Sequence, residues 1–126
     1  MPILPEEPCL YPQQLLGDPV SEDAVGREDS HWWVLMTRPR QEKSVARELL
    51  AKDISFYLPL VWKQNLIRGR RVRSYIPLFT GYVFLCGSAH DRVAALQTNR
   101  IAQTLRVPDQ VELRKDLCQV KRLLDM

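Results

Sequence analysis

Apolar and polar positions change rhythm several times along the 126 residues. Residues 32–37 (WWVLMT) are apolar almost throughout and read as a buried strand. Pro39 follows and suits the first turn of a helix, where its missing N–H leaves nothing unsatisfied. Across residues 39–52, Val45, Ala46, Leu49 and Leu50 recur at helical spacing as one stripe. Arg40, Lys43 and Arg47 form a second stripe, roughly 120° away on the same wheel. Residues 55–60 (SFYLPL) read as a strand with Pro59 near its end. Residues 61–76 begin and end as strands around the basic tip Arg68-Gly69-Arg70-Arg71, which predicts a long hairpin with a flexible end. Residues 77–81 (PLFTG) are a turn, and residues 82–86 (YVFLC) are the clearest strand in the chain. Ser88 with Asp91 three positions on is a capping-box start for a short helix through about Gln97. Residues 101–107 form another strand, broken by Pro108. Asp109 with Glu112 starts a last helix that places Leu113, Leu117, Val120 and Leu124 on one face. The order β-α-β-(hairpin)-β-α-β-α predicts an α+β chain. Its expected form is a ferredoxin-like sandwich with an antiparallel sheet, helices on one face and the other face at least partly open.

Residues 1–30 lack both rhythms and hold five of the nine prolines. They are expected to be a disordered, acidic extension to a domain spanning 31–126. Leu10-Tyr11 and Leu15-Leu16 are apolar enough to dock on the body or a partner, but a plain extension is the expectation. Charge divides at the same boundary. The extension carries seven acids against Arg27, a net of −6, and the remainder carries seventeen bases against eight acids, a net of +9. A basic body suits a polyanion, although ordinary surface charge would look the same.

Little in the chain suggests catalysis. His31 and His90 have no metal-ligand neighbours at useful spacing, so no metal is expected. No Gly-rich nucleotide loop or nucleophile elbow is present. Arg38 and Asn99 are the residue types acylphosphatases use, but the Gly-rich loop of those enzymes is missing. The expectation is a protein that is not an enzyme, with no cofactor and no small-molecule substrate. Cys9, Cys86 and Cys118 form no CxxC, which fits a reducing, cytoplasmic setting. No apolar run reaches the roughly 18–20 residues of a membrane helix, and no signal peptide is read.

Strand alternation places Tyr82, Phe84 and Cys86 on one face and Val83 and Leu85 on the other. It likewise separates Trp32, Val34 and Met36 from Trp33, Leu35 and Thr37. A face left uncovered would be an exposed apolar patch, the mark of a partner site. The alternative is that all of these are core.

The segments Trp32-Trp33-Val34-Leu35, Arg38-Pro39-Arg40-Gln41-Glu42-Lys43, Leu58-Pro59 and Pro77-Leu78-Phe79-Thr80-Gly81-Tyr82-Val83-Phe84 follow one another at suitable spacing. Together they resemble the N-terminal domain of the NusG family of transcription elongation factors, over about residues 31–126. The PLF form, with Leu78 rather than a second aromatic, is similar to the specialised RfaH-like paralogues. The resemblance implies a domain that binds the RNA polymerase clamp helices, favours processive, pause-resistant transcription and supports antitermination. It assigns the polymerase contact to Met36, Phe79, Tyr82, Phe84 and Val107. It assigns contact with the non-template DNA strand to Arg38, Arg40, Lys43, Arg47 and Arg100. A monomer is expected. The C-terminal KOW barrel usual in the family is not found in these residues, the acidic extension lies outside the family pattern, and Thr80 stands where proline is common. Two other readings remain. In a stand-alone RRM-like RNA-binding module, Gly81–Leu85 would imitate the RNP1 pattern and Trp33 would stack on a base. Thr80, Val83 and Cys86 depart from that pattern. In the other, an interaction domain dimerises through its open sheet.

Overall fold

The computed structural model describes residues 9–11, 15–16 and 30–125, with the side chains of Asn65 and Arg73 outside the description. Five strands form the main sheet: β1 (Leu10–Tyr11), β2 (His31–Thr37), β3 (Ser55–Tyr57), β6 (Tyr82–Gly87) and β7 (Ile101–Arg106). Their order is β1-β3-β6-β2-β7, and every described pairing is antiparallel. Since β2 and β3 both oppose β6, they run parallel to each other, and α1 (Glu42–Ala51) crosses between them. In the same way β6 and β7 flank β2, joined by α2 (Ala89–Leu96). A separate two-stranded ribbon, β4 (Leu60–Ile67) and β5 (Arg70–Pro77), is inserted between β3 and β6. The last element is α3 (Gln110–Leu124).

Alternation along the strands builds two apolar layers. Leu35, Phe56, Val83 and Leu85 meet Val45, Ala46 and Leu49 of α1 and Ala95 of α2. On the opposite face Trp32, Tyr57, Phe84 and Cys86 meet Leu117 of α3, together with Leu15 and Leu16. The expectation of helices on one face is therefore corrected. α1 and α2 take one side and α3 the other, because the Leu113–Leu117 stripe of α3 needs cover and the aromatic face of β2 and β6 offers it. Gln110 fastens the start of α3 there: its Nε2 donates to the carbonyls of Trp32 and Val107, both at 3.0 Å, and its Oε1 accepts from the Trp32 amide.

The extension is also corrected where it is described. Leu10 and Tyr11 pair with Tyr57 and Phe56 at the edge of β3, and Leu15 and Leu16 are only 3% and 6% exposed. Four apolar residues among prolines suffice because an unpaired strand edge and an uncovered aromatic face both lie within reach. The rest of the extension lies outside the described residues.

Two local expectations also change. Pro39 does not open a helix. Gln41 N donates to Arg38 O at 3.1 Å, and Arg40 has φ 64°, so residues 38–41 form a turn with Pro at its second position and α1 begins at Glu42. The ribbon tip is a tight two-residue turn, with Ile67 opposite Arg70 and positive φ at Arg68 (52°) and Gly69 (77°). This is the geometry that matches the twist of the flanking strands. Both expected caps are present. Ser88 Oγ accepts from Asp91 N at 3.2 Å while Asp91 Oδ2 accepts from Ser88 N at 3.0 Å, and Asp109 Oδ1 accepts from Glu112 N at 2.9 Å.

Candidate functional site

The C-terminal end of β2 holds two turns together. Thr37 N donates to Gly81 O and Arg38 N donates to Arg100 O, each at 2.9 Å. The first turn carries apolar groups. Tyr82 N donates to Phe79 O at 3.1 Å, closing a turn in which Gly81 has φ 86°. A side chain is strained at that φ, so glycine is the residue that fits. The Gly81 amide donates to Glu42 Oε1 at 3.0 Å, and Glu42 is buried. Glu42 therefore fixes the turn to the first residue of α1, satisfying one amide with one carboxylate.

Four of the five expected apolar contact residues gather at this end of the sheet. Met36 pairs directly with Tyr82 across β2 and β6, and Val34 pairs with Phe84. Phe79 meets Phe84 edge to face, centroids 5.9 Å apart and planes at 88°. Tyr82 and Phe79 are 36% and 38% exposed, with Leu78 beside them at 40%. Phe84 is different: at 8% exposed it lies beneath Phe79 and within the layer that includes Leu117 and Leu16. Val107 is not brought to this group. It follows Arg106, which pairs with Trp33 near the other end of β2, and lines a cavity with Trp32, Pro108 and Gln110.

The basic residues come from the second turn and the start of α1. Arg38, Arg40 and Arg47 are exposed and Lys43 is half-buried. Arg100 joins them, with partners of its own: Nη1 donates to Gln41 Oε1, and Nε lies 3.4 Å from a Glu48 carboxylate oxygen. The turns that carry the apolar and basic groups thus share one scaffold, the end of β2.

The ribbon carries residues that the sequence reading did not single out. Trp62 and Tyr75 are directly opposed and about half exposed, and Leu66 further along is 75% exposed. Strand alternation marks them, because Trp62 and Leu66 are an even number of positions apart and so share a face. Among the described residues no group of His, Cys, Asp and Glu could hold a metal ion, and no helix is long and apolar enough to cross a membrane.

No curated protein matches the chain at a significant level. The family described as transcription termination factor nusG matches residues 30–121, nearly all of the described body and well over half the chain. The match runs through both turns at the end of β2 and the elements that hold them, and the chain belongs to the NusG family of transcription factors.

Proposed function

We propose that this chain is a transcription elongation and antitermination factor domain that binds the RNA polymerase clamp helices and favours processive, pause-resistant transcription. The observation that carries the reading is the Met36–Tyr82 end of the sheet. Apolar and aromatic groups, Leu78, Phe79 and Tyr82, stand exposed there on a turn tied to α1 by the Gly81–Glu42 hydrogen bond. Tyr82 and Phe79 supply the contact and Phe84 supports them from below. Val107, which follows β7 near the other end of β2, stands outside this contact. An apolar patch of this kind suits the side of a helical pair, where large aromatics dominate interface energy. Arg38, Arg40, Lys43, Arg47 and Arg100 face the displaced non-template DNA strand, where neutralising phosphates gives a salt-dependent attraction. The domain, residues 31–126, acts as a monomer in the cytoplasm.

The test is Tyr82→Ala, with binding measured against a clamp-helix fragment of the cognate polymerase and pausing measured in purified transcription. Tyr82 is exposed, so the variant is expected to keep its fold by circular dichroism. Binding should weaken by about 1–3 kcal/mol, with a matching loss of pause suppression. Unchanged binding in the folded variant would reject the reading.

A further inference from the structure

The β4–β5 ribbon stands apart from the main sheet, and its strands pair with each other alone. Across residues 60–77 it holds five basic residues, Lys63, Arg68, Arg70, Arg71 and Arg73, and no acid. It is also unusually apolar for an exposed element. Trp62, Leu66, Ile67, Val72 and Tyr75 are 40–75% exposed. A solvated hairpin would carry polar groups at these positions, and a protein-docking hairpin would not need charge of a single sign.

Register sorts the two kinds of residue along one face. Opposed residues of an antiparallel pair share a face. Trp62 opposes Tyr75, Gln64 opposes Arg73 and Leu66 opposes Arg71, so one face runs from an aromatic pair at the root to cationic positions at the tip. The tip is a two-residue turn at Arg68 and Gly69, both at positive φ. At the root, Leu78 N donates to Pro59 O at 2.8 Å. Tyr75 also walls a cavity of about 260 Å³ with Leu60, Tyr57 and Leu124, where Lys121 and Asp125 are paired at 2.6 Å. The aromatic surface therefore continues onto the body instead of ending at the ribbon.

We infer that the β4–β5 ribbon binds single-stranded nucleic acid, with bases stacked on Trp62 and Tyr75 and phosphates held by Arg71 on the same face and by Arg68 at the tip. Exposed aromatic rings beside a run of cations form a platform that any unpaired base can use. A duplex buries its base faces in its own stack and would leave the two rings without a partner. The site is distinct from the basic turn at the end of β2, and it does not depend on polymerase binding.

The experiment uses the full 126-residue chain and three fluorescein-labelled probes: dT12, rU12 and a 12-base-pair DNA duplex. Anisotropy is read across a salt series. Binding to a single strand is expected to be tighter than to the duplex, and the dT12 and rU12 arms decide between DNA and RNA. Trp62→Ala and Tyr75→Ala should each weaken single-strand binding about tenfold, with Trp62→Phe restoring most of it. Arg68→Glu combined with Arg71→Glu should flatten the salt dependence. Folding of each variant is checked by circular dichroism. Equal affinity for duplex and single strand, or no effect of the two alanine variants, overturns the proposal. So does loss of binding on Arg38→Glu with Arg40→Glu while the ribbon variants bind normally, since that would place the strand on the other turn.

Discussion

Cys86 lies between the aromatic face of the sheet and α3, and burial pushes its thiol up from 9.0 to about 11, with Arg114 opposing the shift and Asp91 adding to it. Burial also pushes the Tyr57 hydroxyl up. Both groups are neutral when buried, so the folded chain resists their ionisation. For Cys86 the folded value exceeds the unfolded one, so its contribution is intact below about pH 9 and is lost as the pH climbs to about 11. Two units correspond to roughly 2–3 kcal/mol at most. Urea midpoints measured at pH 7, 9 and 10.5 should therefore fall steeply above pH 9, and Cys86→Ala should flatten part of that fall. An unchanged slope in the variant would assign the alkaline loss to Tyr57. At this scale the sequence was legible wherever partners are neighbours. The Ser88–Asp91 and Asp109–Glu112 caps follow from residues three apart. The burial of Phe84 was not legible, because its cover comes from Leu117 and Leu16, far away along the chain in both directions.

Among the elements, the strands after residue 30 and the two later helices followed from periodicity, and β1 and the start of α1 did not. Proline fits both the first turn of a helix and the second position of a β-turn, and φ at Arg40 decides between them. The ribbon tip shows the same kind of ambiguity: Arg-Gly gives only half of the preferred Asn-Gly signal, so the sequence suggested a loose end where the structure has a tight turn. Arg68 holds a left-handed conformation at φ 52° that Asn or Gly adopts more readily. Arg68→Asn is expected to stabilise the ribbon by about 0.5–1 kcal/mol. Amide hydrogen exchange of β4 and β5 should slow accordingly. The same variant should lower the salt slope of single-strand binding by about one. Faster exchange would mean that the arginine side chain itself steadies the turn.

For the molecule as a whole, alternating strand and helix patterns were enough to indicate an α+β chain built on an antiparallel sheet. Which side α3 would take was beyond them, since an apolar stripe says that a face is buried but not against what. The docking of Leu15 and Leu16 was beyond them for the same reason. Removing residues 1–29 should uncover Phe84 and Tyr57 and cost about 2–5 kcal/mol in chemical denaturation, on the scale of losing one or two buried leucines. Binding of an apolar dye should rise with it. Undiminished stability would mean that Leu15 and Leu16 add nothing to the layer they sit in. The same seam has a consequence for synthesis. Leu16 and Cys118 are joined, Sγ to carbonyl oxygen, although 102 positions separate them. A ribosome releases Leu15 and Leu16 before the sheet and well before α3, yet they have no complete berth until α3 has also emerged, so a segment made before the sheet is among the last to settle. Until then Trp32, Tyr57 and Phe84 lack both of their covers, and the newborn chain shows its stickiest surface during the interval in which it most needs a chaperone or a quick finish.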